Sequence, residues 1–378
     1  MTRVVLFSFD YAPLDGGIAR LCTELRGGLV AQGVEVSVLT AQHGCSQDEP
    51  GVTRLDGRRA VLEAQALQIL RTLPRDTLLL CGRWYPEGLL ALLAGHRNVV
   101  LLAHGAELLA SRVAALSSTR AWVRRRVLQA ARLVIANSHY TADLVRRVAD
   151  RARVAALPLG VDPTTFSPGD VDAARAELGI TSRLVVSTVA RVQPFKGHDT
   201  IIHALGRLPA EVRRELTYFV AGRGPHTDAL RALTRSLGVE QQVVFGGLVP
   251  EASLPQVYRA SSLFCLMTRS EARAVEGFGL ALLEAQSCGV PVLGTNLGGI
   301  PDALADGETG FLLAPHDVEG VEHHLLRLAR DPDYYRMIGQ AGRERAVREC
   351  SWHAYAGKLR EALQLGTAGS AGGHAGSW

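Results

Sequence analysis

The chain has 378 residues, 47% of them hydrophobic, enough to bury more than one core, so two globular domains are expected. Its six cysteines (Cys22, Cys45, Cys81, Cys265, Cys288 and Cys350) show no CxxC pairing, which argues against a disulfide scaffold or zinc cluster and suits a reducing compartment. Formal net charge is only +4, and neither a leader peptide nor a long apolar span is legible, so the expected location is cytoplasmic.

In chain order, short β-branched or leucine-rich runs alternate with amphipathic stretches, the pattern of helices covering both faces of a parallel sheet. The fold class is therefore α/β. Strands are expected at 4–9 (VVLFSF), 35–40 (EVSVLT), 77–82 (TLLLCG), 98–104 (NVVLLAH), 133–138 (LVIANS) and 153–160 (RVAALPLG). Between the last of these lies a basic stretch, 108–153, with ten arginines, two acids and Trp122. It reads either as a solvated helix face or as a patch for anionic lipid headgroups or an acidic acceptor. The second reading adds a peripheral place at the inner face of the plasma membrane. No reading motif accompanies the charge, so nucleic acid is not expected as a partner.

The segment LGVDPTTFSPGD (159–170) breaks the rhythm and reads as an interdomain connection. The same alternation then restarts, with strands expected at 184–191, 216–222, 242–249, 263–268, 290–295 and 309–315. This places a first Rossmann-like domain at 1–165, a second at 166–350 and a terminal helix at 351–365 crossing back to the first. Two doubly wound domains facing a cleft would bind ligand beyond the carboxyl ends of their strands. The tail, 366–378, is small-residue low complexity and reads as disordered.

Within VEGFGLALLEAQSCGVPVLGT (275–295), Gly289 suits a helix C-cap, so a helix is expected from about Gly279. Glu276 then precedes it and Glu284 lies inside it. Eight residues of helix rise separate the two by roughly 12 Å, too far for the pair of carboxyls, roughly 5 to 9.5 Å apart, that cleaves glycosidic bonds. A glycine-flanked helix N-terminus between two carboxylates instead gives the order carboxylate, anion site, carboxylate. A nucleotide sugar has the matching order of sugar, diphosphate and ribose.

Other loops add to this. Only Lys196 and Lys358 among 41 basic residues are lysine, so a lysine at 196 suggests a site that wants a compact ammonium, such as one for a diphosphate oxygen. Arg191, at the end of its strand, can present a fork to the same group. In FDYAPLDGGIARLCTEL (9–25), Gly16 and Gly17 would let backbone amides approach a phosphate or sugar. This stretch lacks G-x-G-x-x-G and no acid ends the second strand, which disfavours an NAD enzyme. GRGP (222–225) reads as a tight turn, and His139 as the neighbour of a helix cap at Ser138. DPD (331–333) reads as a helix start rather than a metal triplet.

Taken together, EGFGLALLE with SCGVPVLGTNLGGIPDALADGETGFLLAP (287–315), ARVQPFKGHD (190–199), ANSHYTADLV (136–145) and LPLGVDPTTFSP (157–168) resemble the retaining GT-B glycosyltransferases of family GT4 over nearly the whole chain. Glu276 and Glu284 match that family's E-x7-E signature. The resemblance implies a GT-B fold and transfer of a hexosyl group from a nucleotide-diphosphate sugar to a hydroxyl of a lipid, glycan or small-molecule acceptor, with no metal and no cofactor. It implies catalytic roles for His104, Glu276, Arg191 and Lys196, with His104 directed to the donor sugar. Donor binding would involve Gly16, Gly17, Gly277, Phe278, Gly279, Leu280 and, at the ribose, Glu284. TRSEARAVEGFGL (268–280) and RWYPEGLLALL (83–93) are similar to phosphatidylinositol mannosyltransferase-like enzymes, which makes GDP-mannose and a lipid the implied substrates while UDP sugars stay open. Alternatives are a noncatalytic nucleotide-sugar binding module, or a GT-B-like sugar phosphorylase or epimerase.

Overall fold

A computed structural model describes residues 3–14, 16–42, 44, 49–109, 114–271 and 274–365. The chain divides into two compact units, Met1–Leu159 with Trp352–Trp378, and Gly160–Ser351. The expected tail at 366–378 and Cys45 lie outside the described residues.

The first unit contains one seven-stranded parallel sheet. Its strands are β1 (Val4–Phe7), β2 (Val36–Ala41), β3 (Val52–Leu55), β4 (Leu78–Cys81), β5 (Val99–Ala103), β6 (Leu133–Ala136) and β7 (Val154–Ala156), in the spatial order β3-β2-β1-β4-β5-β6-β7. Continuous apolar runs such as Leu78–Cys81 and Val99–Ala103 are buried along their whole length, because helices cover both faces of the sheet. Five of these strands fall within the expected segments and β2 runs one residue beyond its segment at 35–40; β3 was not expected. Its residues, VTRL, alternate with a polar threonine and an arginine at the sheet edge, so no apolar run announces it. Helix Trp352–Ala362 belongs to this unit: it packs on helix Gly17–Ala31 through buried Trp352, Tyr355, Ala356 and Leu359, and the Gln32 amide donates to the His353 carbonyl at 2.9 Å.

The second unit repeats the plan with β8 (Leu184–Val189), β9 (Leu216–Ala221), β10 (Val243–Gly247), β11 (Leu263–Leu266), β12 (Val292–Thr295) and β13 (Gly310–Leu313). Their order is β10-β9-β8-β11-β12-β13, all parallel. Val186, Ile201, Tyr218, Leu263 and Leu293 form part of its buried core. The division between units falls between Leu159 and Gly160 rather than at 165/166. The reason is local: the Val161 amide donates to the Cys350 carbonyl at 2.8 Å and Val161 bridges Ser351, which ties the connecting segment into the second unit.

In each sheet the strand order reverses once, between β1 and β4 and between β8 and β11. Chain leaving the carboxyl ends of such neighbours turns to opposite faces and opens a crevice, the place where doubly wound folds bind ligands.

Candidate active site

At the reversal in the second unit, two loops meet. The loop after β8 carries Arg191, a short turn Pro194–Lys196, and Gly197 at φ 71° before helix His198–Arg207. A Cβ at Gly197 would lie 1.6 Å from the Met267 carbonyl oxygen, so only glycine lets this loop press against the loop after β11. That approach brings Lys196 Nζ to 2.5 Å from Glu276 Oε2, with both side chains largely buried. The sequence-predicted lysine and glutamate, eighty positions apart, are thus brought together. Arg191 is exposed and makes no side-chain hydrogen bond or ion pair among the described residues, which leaves its fork available.

Glu276 and Gly277 are held from behind, since the Gly299 amide donates to the Glu276 carbonyl at 2.9 Å. Phe278 is buried, Gly279 takes φ 91° as N-cap, and helix Leu280–Ser287 begins there without a capping side chain. The Leu282 amide already donates to the Gly279 carbonyl at 2.9 Å, and the amides of Gly279 and Leu280 are left open to an anion. Glu284 is not a solvated helix residue: it is 4% exposed, and the Tyr258 hydroxyl donates to its Oε2 at 2.5 Å.

A clamp that sequence reading missed braces the two loops. One Arg269 Nη lies 2.6 and 2.7 Å from the two carboxylate oxygens of Asp199 and donates to the Pro194 carbonyl, while the Arg269 amide donates to the Phe195 carbonyl. These contacts fix the turn carrying Lys196. Behind it the GRGP loop is more than a tight turn, because the Val192 amide donates to the Arg223 carbonyl at 3.1 Å.

The other predicted residues lie in the first unit. Gly16 (φ 143°) precedes helix Gly17–Ala31, which also lacks a capping side chain, and a Cβ at either glycine would meet open space. His104 follows β5, with Nε2 2.8 Å from the Gly82 carbonyl, and its amide donates to Glu107 at 2.7 Å. A carbonyl only accepts, so Nε2 carries a proton in this contact.

His104 borders a cavity of about 760 Å³ within this unit, whose walls include Arg59, Arg83, Trp84, Tyr85 and Glu87. Arg83 pairs with Asp10, and the Arg59 and Arg120 guanidinia lie over the Tyr85 and Trp84 rings. Glu87 is 1% exposed and accepts from the Phe9 amide; burial pushes its carboxyl pKa up. Its place in the segment that follows β4, at the strand-order reversal, is the signal that could have marked it.

Residues set aside in the sequence behave as caps: Ser138 accepts from the Thr141 amide, and Asp331 of DPD accepts from the Tyr334 amide at the start of helix Pro332–Glu349. Among the described residues no group of three or more His, Cys, Asp or Glu is placed to hold a metal, and no helix is long and apolar enough to cross a membrane.

Comparison with known proteins identifies the family. The model for "Glycosyltransferase Family 4" matches residues 15–165 and that for "Glycosyl transferases group 1" residues 170–345. The chain is 31% identical over 390 residues to the GDP-mannose-dependent alpha-(1-6)-phosphatidylinositol monomannoside mannosyltransferase of Mycobacterium tuberculosis, covering 96% of this chain and 98% of that one. It is 30% identical to the D-inositol 3-phosphate glycosyltransferase of Kribbella flavida, covering 92% of each. Among solved structures, HepE of Anabaena in complex with UDP superposes with a TM-score of 0.77 at 20% identity, over 96% of this chain and 99% of that one. Two Rossmann-like parallel-sheet units with such neighbours define a GT-B fold, and the enzyme class is glycosyltransferase. The chain belongs to the group 1 glycosyltransferases, family GT4.

Proposed function

We propose that the protein is a retaining, metal-independent hexosyltransferase that uses a nucleotide-diphosphate sugar, GDP-mannose or a UDP sugar, and an acceptor hydroxyl on a lipid, glycan or small molecule. The observation that carries the donor site is the Lys196–Glu276 contact beside the uncapped Gly279 helix start. In this reading the leaving diphosphate lies on the amides of Gly279 and Leu280 and takes its countercharge from Lys196 and Arg191. Those fixed positive groups do the work that a divalent ion would otherwise do, and no cofactor is required. Glu276 is released from Lys196 to accept from sugar hydroxyls along with the backbone of Gly277 and Phe278, and Glu284 accepts from the ribose.

His104 is assigned to the donor sugar, and the open backbone at Gly16 and Gly17 to its phosphate or sugar. The identity of the donor is supported by the GDP-mannose named for the mycobacterial relatives and by the UDP in HepE. Front-face attack of the acceptor hydroxyl on the anomeric carbon would keep its configuration. Peripheral contact with anionic membrane through 108–153 is part of the same proposal: Trp122 is 59% exposed with the Arg126 guanidinium over its ring.

The test is transfer from GDP-mannose and UDP-glucose to acceptor extracts in excess chelator, with the anomeric configuration of the product read by NMR. Nucleotide release with a retained anomeric centre is expected, and loss of at least about 100-fold in kcat/KM for Glu276→Gln. Donor bound without any release would favour a noncatalytic binding module, and an inverted product would refute retention.

A further inference from the structure

A different cavity, of about 460 Å³, lies at the opposite edge of the second unit's sheet. Its walls include Leu184 at the start of β8, Ser262 just before β11 and Pro291 just before β12, whereas the candidate active site follows the carboxyl ends of β8 and β11. Four arginines line it, Arg175, Arg183, Arg259 and Arg336, and no aspartate or glutamate does.

The four are not equivalent. Arg183 pairs with Glu215 and Arg336 with Asp333, both near the surface. Arg175 and Arg259 are half-buried and are held by neutral acceptors. Arg175 donates to the Ala260 carbonyl and to Ser262 Oγ, each at 3.0 Å. Arg259 donates to the Ser167 carbonyl at 2.8 Å, to Ser167 Oγ at 3.2 Å and to Gln256 Oε1 at 3.4 Å. Neither forms an ion pair among the described residues; Asp172 acts on Arg175 only through space, and burial lowers the Arg175 pKa. Carbonyls and hydroxyls orient a guanidinium without cancelling its charge. Two oriented cations without a direct ion-pair partner among the described residues, beside a cavity of ligand size, make a preorganised receptor for an anion, which would recover the cost of their desolvation. Val171, Leu184 and Leu328 add apolar wall, which suits an anionic head on a compact organic body.

We propose that this cavity is a second binding site, for a small phosphorylated ligand, separate from the candidate active site. It does not depend on the reading of the donor site, because no residue is shared between the two.

Val171 supplies the test. It is 43% exposed, lines the cavity and is the first residue of helix Val171–Glu177, a position where a carboxylate is compatible with the helix. Inorganic phosphate and pyrophosphate are titrated calorimetrically, at constant ionic strength, into the full-length Lys196→Ala protein, which weakens anion binding at the active site, and into the same protein carrying Val171→Glu or Val171→Gln. Saturable binding of at least one anion is expected in Lys196→Ala, unchanged by Val171→Gln and weakened about tenfold or more by the tethered carboxylate of Val171→Glu. Absence of saturable binding, or equal affinity in the Glu and Gln variants, would overturn the proposal. Equal unfolding midpoints for these two variants show that neither result reflects misfolding.

Discussion

Lys196 is the residue whose chemistry the sequence announces most plainly. In a chain that supplies nearly every positive charge as arginine, it stands out, and it lies against Glu276. The carboxylates were legible because a short helix with glycines at both ends frames them. Glu284's burial was not, since nothing near it in sequence tells that Tyr258 will cover it. Arg269 and Asp199 escaped for the same reason: each lies within a stretch singled out in the sequence, yet seventy residues separate them and nothing in either stretch marks them as partners. His198, just after this loop, is 1% exposed with Nδ1 2.9 Å from the Tyr218 hydroxyl. Burial, helped by the Lys196 ammonium and opposed by Asp199, pushes its pKa down to about 4. The folded pKa thus lies below the unfolded one, so stability is full above pH 6.5. As pH falls towards 4, the unfolded chain takes up a proton that the folded chain refuses, and stability drops by roughly 3 kcal/mol. Denaturant unfolding from pH 7 to 4 should therefore show a shallower loss in His198→Gln than in wild type. The slope left over belongs in part to His324, whose pKa is also pushed to about 4. Parallel profiles for the two proteins would contradict the assignment.

The alternation of elements could be read from the sequence because a strand buried on both faces must be continuously apolar, as Leu78–Cys81 and Leu263–Leu266 are. The edge strand Val52–Leu55 escapes that requirement, which is why it was missed. The loops were legible as punctuation but not as contacts. Gly197 shows the difference: its sequence position marks a turn, yet what constrains it is the Met267 carbonyl of a distant loop. Gly179 has a similar backbone, φ 67°, with open space where a Cβ would go. Gly179→Ala should therefore show only the left-handed backbone penalty, about 1 to 2 kcal/mol, whereas Gly197→Ala should lose about 3 kcal/mol or more and weaken donor binding as the two loops separate. Chemical denaturation of both variants checks this. Equal losses would mean that the loops do not depend on their close approach.

For the molecule as a whole, charge is unevenly distributed, and the structure shows how much of it is already used. Arg125 pairs with Asp150, Arg146 with Asp143, and Arg124 donates to the carbonyls of Glu107 and Leu109. Both acids of the 108–153 stretch are therefore taken up by arginines, the remaining arginines keep their charge, and the exposed Trp122–Arg126 pair is a distinctive surface feature. Full-length protein should co-sediment with phosphatidylglycerol-containing vesicles more than with pure phosphatidylcholine, and added salt or Trp122→Ala should reduce the bound fraction several-fold. Equal partitioning to both vesicle types would remove the membrane from the proposal. The shape of the cavity beside His104 was not legible, because segments following several different strands build it and no contiguous motif encodes it.

The donor site is tested most directly by thermal unfolding of wild type and Lys196→Ala with a panel of GDP, UDP, ADP and TDP sugars in chelator. A donor present at 100 times its Kd adds about 2.7 kcal/mol to native stability, a shift of several degrees. The expected result is one donor that raises the midpoint of the wild type and leaves Lys196→Ala unmoved. Folded wild-type protein that responds to none of them, or a Lys196→Ala variant that responds equally, would contradict the site assigned to the Lys196–Glu276 contact.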